Sequence, residues 1–360
     1  MDAFVAHPYW STQFVGLGPW RLSRWEPGAF IEGEAFDGHA LGRPRIDRIR
    51  ILFTPDPNTA LANLLSGSAD IAADDTMRYQ QTAILEREWA NNNGGAVLKS
   101  FDQHRRAEIQ THPDRANPLT LRDVSARQAL AHAIDRQALI DTLVDGQGKI
   151  ANTLIAPGQD YFAEADALAT RYPYDLARAE QLFNQAGYTK GGDGIYAHPT
   201  AGRFRLEVKT LEGGQNEQEM TIIADQLRRA GLDMSEGIVP AAQIQDGQVR
   251  ASFSGVQTTS GGPIDILSSK NTPRPENRWQ GHNRGSWANP EFDRLIGLFE
   301  STLDRGERAH FIAQAAKVYS DEVPSIPLYY NVRVVPYVSA LKGPVAMAPP
   351  LWNVHQWELA

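Results

Sequence analysis

A strand, a helix and a second strand follow one another between residues 204 and 239, and this order constrains the fold more than any other feature. The strand pattern comes first, with alternating apolar residues at Phe204, Leu206 and Val208. The helical face that follows ends at Gly231 and is built from Met220, Ile223, Ala224 and Leu227. Apolar residues resume at Ile238. This pattern predicts a βαβ unit in a parallel or mixed sheet, and so an α/β fold.

Helices alternate with short strands along most of the chain. Amphipathic helical spacing begins near Ser125 and continues to Gly146. A second helix is predicted from its N-cap Asp175 to its stop at Gly187. A polar stretch rich in Gly and Pro, residues 258–287, interrupts this regularity. Long ordered loops on α/β sheets are where ligands tend to bind, so this stretch is a candidate binding segment.

Length and charge exclude several classes of protein. At 360 residues the chain exceeds the usual size of one hydrophobic core, so two lobes are expected. The 35 basic and 43 acidic residues give a net charge of -8, which argues against nucleic acid or an anionic membrane surface as a partner. The basic run His104-Arg105-Arg106 is interpreted as a solvated loop.

Sequence motifs for catalysis, metals and cofactors are missing. The nine histidines never take the HExxH or HxH spacings that place two imidazoles on one metal, and there is no cysteine. Serine-hydrolase, P-loop and dinucleotide motifs do not occur, and residues 190–194 are explained by a hairpin turn. We therefore expect no metal, no cofactor and no catalysis. A hydrolase on an α/β scaffold stays an alternative, because the 43 acidic residues could hide a carboxylate pair.

Several blocks of the chain resemble one protein family. Residues 126–136, ARQALAHAIDR, resemble the "RqAlayAiDR" helix of the family 5 extracytoplasmic solute-binding proteins, the dipeptide, oligopeptide and nickel receptors of ABC transporters. Residues 16–28 are similar to the family's "G.GPY.l..W.pG" strands, and residues 172–188 to its "YpyDp.kA..LL.eAGy" helix. Further blocks, residues 56–70, 289–295 and 323–329, follow in the family's order.

The resemblance implies a periplasmic-binding-protein-like, two-lobe α/β architecture of type II, cluster C. It places the first lobe at residues 1–118, the second at 119–325 and the return to the first lobe at 326–360. Family members carry a signal peptide and a longer N-terminal portion before the strands that begin this chain. The resemblance therefore implies an incomplete first lobe, with the signal peptide removed or missing together with that N-terminal portion.

The resemblance also suggests where a solute binds. Peptide-binding members have a "GW.aD" segment whose aspartate pairs with the peptide amine, and here Val256 and Thr259 stand at the aromatic and acidic positions. A neutral, hydroxyl-rich ligand then fits better than an ordinary peptide, because a buried ammonium needs a counter-charge. The predicted ligand contacts are Gln110 near the first lobe crossing, Thr259, Ser260, Arg278, Trp279, Asn283 and Arg284.

These implications amount to a functional hypothesis. The chain is expected to be a periplasmic or extracytoplasmic monomer that captures a peptide, an oligosaccharide or an opine-like solute between two lobes for the permease of an ABC importer. The alternative from another class is a truncated fragment that no longer binds solute and acts as an interaction module.

Overall fold

The computed structural model describes Phe4 and residues 6–10, 13–54, 56–73, 76–345 and 351–360, so parts of the N-terminal segment lie outside the described residues. The chain divides into two compact units. The smaller unit comprises residues 1–100 and 332–360, and the larger unit comprises residues 101–331. The lobe boundaries at 118 and 325 stay predictions.

The smaller unit contains a three-stranded antiparallel sheet in the order β1-β2-β3, with bounds Trp20–Glu26, Phe30–Ala35 and Arg48–Leu52. Gly28, at a φ of +78°, makes the turn between the first two strands. Two helices follow, α1 at Pro57–Leu65 and α2 at Tyr79–Ala90. The α1 helix begins at an N-cap in which Asp56 accepts a 2.8 Å hydrogen bond from the Thr59 amide, as typical capping chemistry predicts.

The larger unit is built on a six-stranded sheet in the order β10-β9-β11-β4-β12-β5. The strand bounds are Gly95–Ile109 for β4, Lys149–Ile150 for β5, Arg205–Leu211 for β9, Asp233–Val239 for β10, Val256–Ser260 for β11 and Ser325–Val338 for β12. The β9 strand lies parallel to both β10 and β11, while β4 is antiparallel to β11. The predicted βαβ unit and mixed sheet are confirmed. Residues 95–100 of β4 and residues 332–338 of β12 belong to the smaller unit.

Two further sets of short strands complete the description. In the larger unit, β6 (Thr189–Lys190), β7 (Tyr196–His198) and β8 (Gly202–Arg203) form a small antiparallel sheet, so the hairpin predicted at residues 190–194 is confirmed. In the smaller unit, β13 (Leu341–Lys342) pairs with β14 (Glu358–Leu359).

Most helices of the larger unit begin at side-chain caps. The helix bounds are α3 at Val124–Ala133, α4 at Arg136–Val144, α5 at Phe162–Leu168, α6 at Leu176–Gln185, α7 at Gly214–Ala230, α8 at Gly247–Ala251, α9 at Pro290–Ser301 and α10 at Arg305–Glu322. Helices α5 and α7 are the exceptions. Asp175 and Asn289 are the N-caps of α6 and α9, as the sequence predicts. The helical pattern after Ser125 is interrupted, because Asp135 caps the amides of Gln137 and Ala138 and starts a separate helix.

A hydrophobic cluster anchors the polar segment 258–287 to the helices of the larger unit. The ring of Trp287 lies 5.1 Å from that of Phe292 on α9 and 5.4 Å from that of Tyr319 on α10. The remaining buried members include Leu154, Ile264, Leu267, Leu295 and Ile312. The end of the polar segment is therefore part of a packed core, which holds its backbone in place.

No helix within the described residues has both the length and the apolar character that crossing a lipid bilayer requires.

Candidate ligand site

The candidate site lies where β11 ends beside β4 in the larger unit. Thr259 stands opposite Arg106, and Gln257 stands opposite Glu108. Residues directly opposite each other in an antiparallel pair share one face of the sheet, with Cβ atoms about 5 Å apart. Thr259, Gln257, Arg106 and Glu108 therefore form one polar face, whereas Ser260 lies on the other face. The two predicted hydroxyl contacts, Thr259 and Ser260, thus point to opposite sides of the sheet.

The basic run at residues 104–106 is not a solvated loop, so that interpretation is wrong. All three residues lie on β4, and His104, Arg105 and Arg106 are buried. Side chains alternate along a strand, so the run divides between two faces that are both covered. The sequence run alone cannot reveal this covering, because it comes from distant parts of the chain.

Arg106 is held at the polar face by its neighbours. Its Nη1 donates a 2.6 Å hydrogen bond to the carbonyl oxygen of Gly261 and lies 2.9 Å from Nε2 of His104. Burial lowers the pKa of His104 well below its usual value, and the charge of Arg106 acts in the same direction. His104 is therefore neutral at physiological pH, and the positive charge at this point belongs to Arg106.

Arg250 and Arg284 interact electrostatically with Glu108, as Arg106 does, and we call Arg106, Arg250, Arg284 and Glu108 the arginine cluster. Glu108 is 4% exposed, accepts a 2.8 Å hydrogen bond from the Gly285 amide and has its other oxygen 3.9 Å from Nη2 of Arg106. Burial lowers the pKa of Arg284 to about 10, and the charge of Arg250 adds to the shift. Three guanidinium groups thus share the field of a single carboxylate.

The opposite face of the sheet carries a balanced network. Arg105 pairs with Glu219 on α7 through two hydrogen bonds of 2.6 and 3.0 Å, and its Nη2 also donates to Asn216. Tyr329 on β12 donates a 2.6 Å hydrogen bond to Glu219. This network fixes the first turns of α7 against the sheet. No local motif in the sequence points to it, because Arg105, Glu219 and Tyr329 are more than 100 residues apart.

Gln110 and Asn283 hold nearby backbone in place through side-chain hydrogen bonds. The amide of Gln110 is fully buried and donates a 3.0 Å hydrogen bond to the carbonyl of Phe253, while its oxygen accepts from the His112 amide. Asn283 donates a 2.7 Å hydrogen bond to the carbonyl of Trp287. Both side chains have backbone partners that explain their positions, and their contact with a ligand stays a prediction.

Arg278 and Trp279 occupy a turn of the polar segment. Both have left-handed backbone conformations, with φ values of +55° and +61°. The guanidinium of Arg115 lies 5.5 Å from the ring of Trp279, within the range of a cation–π contact. Arg278 is exposed, and Trp279 is half-buried. The predicted ligand contacts at both residues stay predictions.

Among the described residues, no group of three or more His, Cys, Asp or Glu side chains converges on a point that could hold a metal ion.

Comparison with known proteins identifies relatives along most of the chain. The chain is 24% identical to the oligopeptide-binding protein AppA of Bacillus subtilis (strain 168), over 96% of this chain and 62% of that protein. It is 24% identical to the dipeptide-binding protein of Escherichia coli (strain K12), over 95% of this chain and 60% of that protein. The chain thus spans about three fifths of the length of these curated relatives.

Solved structures share the fold. The crystal structure of NikZ from Campylobacter jejuni in complex with Ni(L-His) matches with a TM-score of 0.81 and 20% identity, covering 97% of this chain and 69% of that one. The structure of AppA from Bacillus subtilis in complex with a nonapeptide matches with a TM-score of 0.79 and 21% identity, covering 99% and 69%. The expected α/β fold of the periplasmic binding proteins is confirmed.

A family model provides the assignment. The model of the bacterial extracellular solute-binding proteins, family 5 Middle, matches residues 6–277, which include the β4 and β11 strands of the candidate site. That family is one of binding proteins, in agreement with the expectation of a chain without catalysis. This chain therefore belongs to the bacterial extracellular solute-binding proteins of family 5.

Proposed function

We propose that this chain captures a small solute outside the cytoplasm and delivers it to the membrane permease of an ABC importer. The observation that carries the proposal is the family match over residues 6–277, which includes strands β4, β9, β10 and β11 of the sheet and most of the polar segment 258–287. The names of the relatives support a binding role, because the two described above are an oligopeptide-binding and a dipeptide-binding protein.

Within the larger unit, the polar face of β4 and β11 has the chemistry of a binding surface. Thr259 offers a hydroxyl at the carboxyl end of β11 and lies opposite Arg106 in the strand pair. Ligands of α/β sheets bind preferentially at the carboxyl ends of strands. The residues that support the segment, Gln110 and Asn283, make its backbone rigid, which lowers the entropy cost of binding a solute.

Three classes of solute are compatible with this surface: peptides, oligosaccharides and opine-like conjugates. The names of the relatives, an oligopeptide-binding and a dipeptide-binding protein, favour peptides among these three classes. A peptide bound by its free amine would need an acid at the position of Thr259, which this chain lacks. A peptide or conjugate held through other groups meets no such cost.

A thermal-shift screen tests the proposal. A ligand that binds only the folded state increases the free energy of unfolding by RT ln(1 + [L]/Kd), which is about 2.7 kcal/mol when the ligand is at 100 times Kd. This stabilisation raises the melting temperature. Di- to pentapeptides, oligosaccharides, opines and Ni(L-His) complexes form the panel, with free amino acids as the negative set. We expect a saturable shift with one class. The absence of a shift with every class, for protein shown to be folded by circular dichroism, would refute the proposal.

A further inference from the structure

The arginine cluster has more donors than partners. Nε of Arg106 and Nε of Arg250 are buried and have no hydrogen-bond partner among the residues that the structure describes, and the same holds for Oγ of Ser286. Arg106 is 2% exposed and Arg284 is 9% exposed. A buried donor without an acceptor destabilises the folded protein, and it does so more strongly when the donor is charged.

Other buried arginines of the larger unit are satisfied within the chain. Arg127 donates from Nε to the carbonyl of Glu322 at 2.7 Å, and Arg136 donates to the carbonyls of Ala151 and Tyr172. Arg105 has the carboxylate of Glu219. The unused donors are therefore specific to the arginine cluster and are not a general property of buried arginines in this protein.

The charges of the arginine cluster also do not balance. Three guanidinium groups carry three positive charges, whereas Glu108 supplies one negative charge and commits one of its oxygens to the Gly285 amide. The other Glu108 oxygen has no hydrogen-bond partner within the described residues and lies 3.9 Å from Arg106. An additional anion would compensate the remaining charge and accept from the unused Nε donors.

We propose that the arginine cluster binds a carboxylate of the solute at the sheet face that carries Thr259. The resemblance to peptide-binding members places Thr259 where those proteins have an acid that pairs with the peptide amine. The proposal rests on the proposed function and specifies the class of its solute. Arg106 lies directly opposite Thr259 in the strand ladder, so the charge offered at this point is positive. The selected solute is therefore an acid whose amine is blocked or remote, such as an N-acylated peptide or an opine.

The first experiment examines the anion site without any assumption about transport. The melting temperature of the wild-type protein is measured in sodium acetate and in sodium chloride at equal ionic strength. We expect acetate to stabilise the protein and the stabilisation to be lost in Arg106→Gln and Arg250→Gln. Arg250 is half-buried on the short helix α8, so its variant provides the test if Arg106→Gln fails to fold. Arg229→Gln, at an exposed arginine outside the candidate site, is the matched control and should keep the effect.

The second experiment connects the anion site to the solute. Calorimetric titrations compare trialanine, N-acetyl-trialanine, trialanine amide and N-acetyl-trialanine amide. We expect the two acids to bind at least about tenfold more tightly than their amides, because a charge-assisted hydrogen bond contributes about 1.5 to 3 kcal/mol. Acetylation of the amine should not weaken binding.

The outcomes separate the two proposals. Acids and amides that bind equally, together with no acetate effect, would overturn the carboxylate site and leave the proposed function standing. An acetate effect that depends on Arg106 and Arg250, with no binding by any solute class, would keep the anion site and overturn the proposed function. An acetate effect that is unchanged in both variants would also overturn the carboxylate site.

Discussion

Arg105 and Glu219 form a two-pronged ion pair inside the larger unit, with Nη2 to Oε1 at 2.6 Å and Nε to Oε2 at 3.0 Å. Glu219 is fully buried and Arg105 is 6% exposed. Burial raises the pKa of the neighbouring Tyr329 well above its usual value, and the Glu219 charge adds to the effect. Each charge of the pair is therefore stabilised mainly by the other, since little water reaches either.

Glu219→Gln should destabilise the protein strongly. Removing one partner of a buried pair leaves the other charge uncompensated, which costs about 3 to 5 kcal/mol. Urea denaturation gives the free energy of unfolding of the variant and of the wild type. Glu291→Gln is the matched control, because Glu291 forms an exposed pair with Arg294, and its substitution should leave stability unchanged. Equal stability of the two variants would contradict the role given to the buried pair.

His104 should make stability depend on pH. Burial holds its pKa well below the usual histidine value near 6.5, so below that pH the unfolded chain takes up a proton that the folded protein excludes. Stability contributed by the neutral imidazole is present above pH 6.5 and is lost as the pH falls below it, at up to about 1.4 kcal/mol per pH unit.

Urea denaturation of His104→Gln between pH 7.5 and 5 checks this prediction. The variant should lose less stability over this range than the wild type does. His310→Gln removes an exposed histidine and should follow the wild-type curve. Parallel curves for His104→Gln and the wild type would show that the pKa of His104 is the same in the folded and the unfolded protein, which would contradict the prediction.

Gln110→Ala should lower stability by about 1 to 3 kcal/mol, because the buried carbonyl of Phe253 and the amide of His112 both lose a hydrogen bond. Thermal denaturation of Gln110→Ala and of Gln243→Ala, an exposed glutamine, gives the comparison. A Gln110 variant as stable as the Gln243 variant would mean that its hydrogen bonds are replaced by water, and the residue would then be free for a ligand.

Thr259→Asp should abolish the effect of acetate. An aspartate directly opposite Arg106 supplies the missing negative charge from within the chain, so an external carboxylate has no role left. Ser260→Asp is the control, because residue 260 lies on the other face opposite Arg105, which Glu219 already neutralises. Acetate stabilisation that survives in Thr259→Asp and disappears in Ser260→Asp would reverse the assignment of faces.

Local chemistry made much of the fold predictable. Asp175 and Asn289 cap helices where the sequence predicts them, because capping depends on a few neighbouring residues. The βαβ order follows from apolar periodicity and is confirmed by the parallel register of β9 and β10. Asp135 breaks the predicted helical pattern because its own capping bonds compete with helix continuation.

The candidate site was only partly predictable. Thr259 and Arg284 follow from the family resemblance and from the polar segment, whereas the pattern of residues 104–106 favours a solvated loop and so places Arg106 in solvent. Arg106, Arg250 and Glu108 meet only when the strands pair and the segment folds over them, and such long-range proximity leaves no local pattern. Sequence spacing also could not show which of Thr259 and Ser260 faces a ligand, because that depends on what covers each face of the sheet.

We infer that this chain binds a solute reversibly and leaves it chemically unchanged. Isothermal titration of the purified protein with the solute class selected by the thermal screen, followed by mass spectrometry of the recovered solute, tests it most directly. We expect saturable binding with a defined Kd and recovery of the intact solute. Titrations that show no binding heat with any solute class, or recovery of a chemically altered solute, would contradict reversible solute binding.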